Sequence, residues 1–183
     1  MMTREDAIKL VRSYVSKENN IKHMIAVGAV MKEAGTKLGE NAQKWEVVGI
    51  LHDIDFERCS GPSDHTVMSR EMLQGLVDEE VIEAIMAHNH EYTHVSVDTK
   101  LKKALIASDA VSGLVITCAL VMPSKKLADV KLESLRKKYL SKDFARNVSR
   151  ERIGMCTDIG LALEDFLALS LEGLKKVSGE LGL

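Results

Sequence analysis

Two imidazoles and two carboxylates stand at positions of the sequence that apolar residues would otherwise fill. His52 and Asp53 follow directly on an apolar run in "VVGILHDID", while His23 and Asp109 interrupt apolar helical faces elsewhere. Mixed nitrogen and oxygen donors suit a divalent transition metal ion better than calcium, which prefers oxygen alone. A closed structural zinc site would use thiolates instead. The set therefore predicts a metal site with positions left open for water and a substrate.

Helical periodicity puts each of these residues at an inward or terminal position of its own element. His23 lies on the apolar face of a helix that begins near Ile21, and His52 ends a helix that begins near Trp45. Asp109 belongs to the longest apolar helix, whose inward face is formed by Leu101, Leu105, Asp109, Ser112, Ile116 and Leu120. Because burying an unpaired carboxylate costs on the order of several kcal/mol, Asp109 needs a cation or strong hydrogen bonds.

Start and stop signals bound these helices. Gly39 is expected to end the helix of His23, and Pro123 stops the long helix at about Met122. The expected starts are Thr3 in a capping box with Asp6, Ser63 or Asp64 for a helix that includes His65, and Asp98 or Thr99 for the long helix.

Composition favours helices throughout. Of 183 residues, 45% are hydrophobic but only 4% are aromatic, and there are just 2 prolines, whereas all-β folds need aromatic strands and frequent turns. We expect one all-α domain, residues 1–183, with about seven to nine helices. Its metal-binding core would span about residues 21–122, and residues 123–183 would form a helical extension.

Charge and cysteine content limit the partners and the location. The net charge of −2 provides no global field for nucleic acid, and "LRKKYL" is too short for a binding patch, so nucleic acid is an unlikely partner. No apolar window was expected to reach a membrane span of about 20 residues. Three cysteines without a CxxC pair indicate reduced thiols, and we expect a cytoplasmic protein.

The order of these residues resembles a known family. His23, then "HD" at His52 and Asp53, then Asp109, is similar to the signature of the HD-domain superfamily of metal-dependent phosphohydrolases. "GILHDID" resembles the family's "LLHDIG", and "DHTVMSREML" resembles the segment that follows it; the likeness spans roughly residues 22–113. Asp55 stands where the family often has glycine, which is expected to affect only the local turn, since aspartate also tolerates turn conformations.

The resemblance implies a compact helical HD fold and a ligand set. His23, His52, Asp53 and Asp109 would hold one divalent ion, of Mn, Fe, Co, Ni or Zn, that activates a water for attack on phosphorus. His65 and His88 would hold a second ion with Asp53 as the bridge, and Asp53, His65 and His88 are the predicted catalytic residues. Alternatively, His65 and His88 contact phosphate or cap helices, and both interpretations stay open.

The predicted substrate is a small phosphate ester, with a nucleotide as one candidate. Arg58 and Arg70 are the first choices for phosphate contacts because they lie close in sequence to the ligands. A non-catalytic HD module that binds metal or nucleotide for sensing is the alternative function, and a di-iron oxygenase is a less favoured one. The apolar face of the last third is expected to serve the core or a homodimer surface.

A competing motif lies further along the chain. Residues 90–94, "HEYTH", match H-E-x-x-H, which on a helix supplies two zinc ligands and a general base to metalloproteases. The following "VSVD" indicates an ending helix, so the two imidazoles need not share a face. A protease site here is not favoured.

Overall fold

A computed structural model describes residues 2–183 of the protein and shows an all-α fold, as predicted. No strand occurs among these residues, only an isolated bridge between Gln74 and Val77. Two 3₁₀ turns lie at Leu127–Asp129 and Met155–Ile159. The eleven α-helices are α1 (Arg4–Tyr14), α2 (Glu18–Leu38), α3 (Ala42–Leu51), α4 (Val67–Leu73), α5 (Glu79–His88), α6 (His90–Thr93), α7 (Lys100–Leu120), α8 (Leu132–Leu140), α9 (Arg150–Gly154), α10 (Leu163–Lys176) and α11 (Ser178–Leu181).

Most helix ends follow the local signals. Thr3 and Asp6 form the expected capping box at α1. Gly39 ends α2 in the left-handed conformation, with φ of 71°, which glycine adopts without a steric penalty. Thr99 caps α7 by accepting a hydrogen bond from the Lys102 amide. Local sequence therefore sets the lengths of the two long helices that carry His23 and Asp109.

The start of α4 is an exception. The helix begins at Val67, so the prediction that it includes His65 is wrong. Thr66 has a φ of 67°, which keeps His65 in the turn before the helix. The carboxylate of Asp55 accepts hydrogen bonds from the Thr66 amide at 2.6 Å and the Ser69 amide at 3.1 Å. A distant carboxylate thus replaces the local cap that Ser63 or Asp64 was expected to provide.

Helices α2 and α3 pack with their backbones in contact. A Cβ added at Gly49 would stand 2.7 Å from the Gly28 Cα and 2.9 Å from the Val27 carbonyl carbon. Further along, a Cβ on Gly35 would stand 3.2 Å from the Ala42 Cα, so the two helices run antiparallel. This arrangement brings the first half of α2, with His23, beside the end of α3.

Helix α7 runs through the core. By length and hydropathy it is the one described helix that could cross a membrane, contrary to the expectation that no window approaches a span, yet 61% of its apolar window is buried within this fold. It packs against α2, α5 and α10. Its buried residues are explained by these contacts with the other helices.

The last third of the chain completes the core. Helix α10 packs on α2, where the Ala29 carbonyl oxygen would stand 3.0 Å from a Cβ on Gly173. Ile153, Ile159, Phe166, Leu167 and Leu171 are all buried. Of the two roles expected for this apolar face, these residues therefore serve the core. The boundary at residue 122 and the homodimer stay predictions.

The glycine contact between α2 and α3 yields a stability prediction. Gly49→Ala should destabilise the fold by about 1–3 kcal/mol despite the better helix propensity of alanine, because backbone atoms of α2 cannot move aside as a flexible side chain can. Urea unfolding would measure the change. Gly61→Ala is the matched control, because nothing lies within 4 Å of a Cβ there. An unchanged midpoint for Gly49→Ala would show that the two helices can separate without cost.

Candidate metal centre

Imidazoles and carboxylates from five parts of the chain meet at one end of the α2 and α3 pair. His23 comes from α2, His52 and Asp53 follow α3, and Asp109 comes from the middle of α7. His65 precedes α4, and His88 is the last residue of α5. The structure thus brings together the predicted ligands of the first ion and both histidines proposed for a second.

Asp53 lies at the centre of this cluster, and its two oxygens face different imidazole pairs. Oδ2 lies 3.4 Å from Nε2 of His52 and 3.8 Å from Nε2 of His23. Oδ1 lies 3.3 Å from Nε2 of His65 and 3.4 Å from Nε2 of His88. A carboxylate placed in this way can bridge two ligand sets, one at each oxygen.

Asp109 completes the set on the Oδ2 side. Its Oδ1 lies 3.1 Å from Nε2 of His23 and 3.9 Å from Nε2 of His52. One donor atom from each of these three residues lies within 4.8 Å of the others, close enough to bind a common ion. The His23 and Asp109 side chains are 32% and 24% exposed, whereas His52 is fully buried, so solvent reaches the set from the His23 and Asp109 side.

Backbone carbonyls fix the orientation of two imidazoles. Nδ1 of His52 donates to the Gly49 carbonyl at 2.8 Å, and Nδ1 of His88 donates to the Ile85 carbonyl at 2.9 Å. With the proton on Nδ1, each Nε2 presents a lone pair to the centre, the arrangement found for metal-bound histidines. Nε2 of His52 is buried and has no hydrogen-bond partner among the described residues. Because an unpartnered buried acceptor is costly, this lone pair fits a metal ion.

The HD domain family matches residues 20–114, a range that contains all six of these residues. The chain belongs to the HD domain family. No curated protein and no solved structure matches it. The metal and catalytic roles of the individual residues stay predictions, now with a geometry in which they lie together.

Asp55 is the residue of this HD domain that sequence reasoning undervalued. It is completely buried, and its Oδ1 accepts a hydrogen bond from Nδ1 of His65 at 2.9 Å. Its other oxygen accepts the Thr66 and Ser69 amides, so one carboxylate orients His65 and starts α4. The available signal was the departure from the family's glycine: a carboxylate two residues after Asp53, in an apolar stretch, needs partners of its own.

Burial and charge act against each other throughout the centre. Burial alone would raise the pKa of Asp53, but the His52, His65 and His88 imidazoles hold the pKa of that carboxyl well below its usual range. Burial likewise opposes protonation of His65, yet Asp53 and Asp55 raise the pKa of its imidazole to about 9. Without a metal ion, His65 is therefore protonated at neutral pH. Binding of a cation at Nε2 would displace that proton.

A third group of donors, Asp55, Cys59 and His65, also lies within reach of a single ion. The Cys59 thiol donates to the Asp55 carbonyl at 3.2 Å, and burial followed by the Asp55 charge raises the pKa of that thiol to about 12. Only the thiolate is a strong metal ligand. An ion at this group would have to displace the Cys59 proton, which opposes binding at neutral pH.

The two arginines predicted for phosphate have other partners. The Arg70 guanidinium forms ion pairs with Glu79 and, at 3.2 Å, with Glu83. Arg58 is exposed, and its guanidinium lies over the Tyr14 ring, 5.1 Å from the centroid. Their role in binding phosphate stays a prediction, and neither contacts the cluster in the described structure.

The H-E-x-x-H match does not form a single helical face. Helix α6 has one turn, and His94 ends it with a φ of 57°. Among the described residues, neither His90 nor His94 belongs to a group of donors that could hold an ion. The geometry therefore agrees with setting the protease motif aside.

The contact between Asp55 and His65 predicts the effect of Asp55→Asn in metal-free protein. Removing the negative charge should lower the pKa of His65 from about 9 toward its usual range, and the amide N–H should favour the tautomer with the proton on Nε2. Long-range ¹⁵N–¹H spectra recorded across pH would report both changes. Asp64→Asn, in the same loop, is the control. A His65 titration identical to that of the unaltered protein would contradict the assigned contact.

Proposed function

We propose that this HD domain protein is a divalent-metal-dependent phosphohydrolase that cleaves a small phosphate ester with a metal-activated water. Membership of the HD domain family supports the reaction class. The observation that carries the proposal is the Asp53 carboxylate, with one oxygen facing His23 and His52 and the other facing His65 and His88. A structural site would have no need for ligands open to solvent on one side, as His23 and Asp109 are.

We infer two ion positions that share Asp53. His23, His52, Asp53 and Asp109 would hold one ion, and Asp53, His65 and His88 would hold the other. When bound, divalent ions of the Mn, Fe, Co, Ni or Zn class lower the pKa of a coordinated water and neutralise charge on phosphoryl oxygens.

The protein supplies rigidity and placement. The Gly49 and Ile85 carbonyls hold His52 and His88 in one tautomer, and Asp55 does the same for His65. Because these imidazoles are orientated before substrate arrives, little reorganisation is needed during the reaction. The exposed edges of His23 and Asp109 leave a path for the substrate phosphate.

If only one ion binds, His65 and His88 would have a different role. Their Nε2 atoms are 3.2 Å apart, so in the absence of a second ion they can share a proton. A proton held there is available to the leaving oxygen as the ester bond breaks. Metal stoichiometry separates the two arrangements.

Elemental analysis of the isolated protein and a panel of phosphomonoesters and phosphodiesters with added Mn²⁺ would test the proposal. His52→Ala and Asp53→Ala should lose bound metal and reduce kcat/KM by more than about 100-fold, since even partners of metal ligands are worth about 10–100-fold. His88→Ala should lose only the second ion. His90→Ala is the control, since its imidazole lies outside the cluster. Undiminished metal content and turnover in Asp53→Ala would overturn the proposal.

Two other results would each indicate a different function. Tight nucleotide binding without turnover of any ester would indicate a sensor module. Oxygen consumption by the iron-loaded protein without ester hydrolysis would indicate a di-iron oxygenase, which also needs His65 and His88 as ligands. We further propose a cytoplasmic location, which the three free cysteines support.

A further inference from the structure

A cavity of about 510 Å³ lies between α2 and α7, beside the metal centre. His23 is one of its lining residues, so the predicted ligand that is most open to solvent faces both the cluster and the cavity. On the opposite wall, the lining residues of α7 continue the face of Asp109 at steps of three or four residues. They are Gly113, Ile116, Thr117 and Leu120.

The chemistry of the wall favours an aliphatic occupant. Ile116 and Leu120 from α7 face Leu181 and Leu183 from the last residues of the chain. No Phe, Tyr or Trp side chain is among the lining residues that the structure describes, so a nucleobase would find no stacking partner other than the His23 imidazole. Ligand cavities of this volume bind small organic groups mainly through apolar contact.

Lys22 adds a positive charge at the same place. Its half-buried side chain lines the cavity next to His23, and Nζ reaches Gly182, where an added Cβ would stand 3.1 Å away. Glu18, one turn earlier on α2, forms its ion pair with Arg12, and Arg12 lowers the pKa of the Glu18 carboxyl more than the Lys22 charge does. Because Glu18 has Arg12 as its direct partner, the Lys22 ammonium can donate a hydrogen bond to a phosphate oxygen at the proposed centre.

We propose that this cavity binds the aliphatic organic group of the substrate, while Lys22 contacts the phosphate. This inference rests on the proposed function, because it assumes that the phosphate is bound at the cluster. His23 belongs both to the cluster and to the lining of the cavity. A phosphate bound at the open side of the cluster would therefore place its organic group in the cavity between α2 and α7. The substrate class would then be alkyl phosphates rather than nucleotides.

The probes are n-alkylphosphonates from methyl to octyl, which keep the phosphate-like head but carry a carbon–phosphorus bond in place of the ester bond. Titration calorimetry with Mn²⁺-loaded and with metal-free protein would measure their Kd. Burying each methylene should lower Kd about three- to fourfold until the cavity is full. Loading with Mn²⁺ should tighten binding of every chain length by a similar factor.

Two variants test whether the alkyl group binds in the cavity between α2 and α7. Ile116→Trp should flatten the dependence of Kd on chain length by filling the cavity. Leu120→Trp, at a position that is 50% exposed, should do the same without a change in the core. Val121→Trp, at the exposed residue that directly follows α7 and lies outside the cavity, is the control and should leave the dependence unchanged.

Lys22→Met addresses the phosphate contact. It should raise Kd by about tenfold for every chain length, because a hydrogen bond to a charged group is lost while the aliphatic contacts stay. Lys37→Met is the matched control, since Lys37 is exposed and lies about 22 Å further along α2.

Three outcomes would overturn the inference. A Kd that does not change with the length of the alkyl chain would exclude an aliphatic site. A dependence on alkyl length that persists in both tryptophan variants would show that the alkyl chain binds outside this cavity. A nucleoside phosphonate that binds more tightly than octylphosphonate would reverse the choice of substrate class. Failure of the proposed function has a different signature: no ester is turned over, whatever the binding data show.

Discussion

The backbone contact between α2 and α3 is the constraint on which the centre depends. Gly28 and Gly49 leave no room for a Cβ, so the two helix axes approach more closely than side chains would allow. Because the helices are antiparallel, His23, just over one turn before Gly28, faces His52, one turn after Gly49; their ring centroids are 5.1 Å apart. The remaining predicted ligands, from α5, α7 and the turn before α4, lie against this pair of histidines.

The centre concentrates ionisable groups that the fold alone would not keep buried. Three carboxylates, Asp53, Asp55 and Asp109, share four imidazoles, and burial opposes the charged form of each carboxylate. Replacing such a network with apolar residues often stabilises a protein. Stability alone therefore does not account for this network, whereas the unpartnered buried Nε2 of His52 fits a bound ion.

Sequence reasoning located the residues whose position depends on local periodicity. His23 and Asp109 fall on apolar faces of long helices, and His52 and Asp53 follow an apolar run, so their inward placement could be predicted from spacing alone. The all-α class followed from composition in the same way. These features need no knowledge of which helices meet.

The features that were missed depend on tertiary contacts. His65 leaves the helix because Thr66 takes a left-handed conformation, which costs about 1–3 kcal/mol for a residue other than glycine and is maintained by Asp55 from another part of the chain. Arg58 and Arg70 were selected by proximity in sequence, which does not determine where a long side chain reaches. Lys22, directly before a predicted ligand, was passed over because nothing local distinguishes it from a solvated lysine.

Because Asp55 is bound to the start of α4, one side of the cluster can come apart more easily than the other. His23 and Asp109 belong to helices of 21 residues that can shift only if the core is disrupted. His65 belongs to no helix, and its carboxylate partner is held by amides at the start of the seven-residue α4. Opening of that first turn would free Asp55 and His65 in one event, while the opposite ligand set remained assembled. If an ion binds at Asp53, His65 and His88 as proposed, its dissociation rate would depend on this local opening of the backbone.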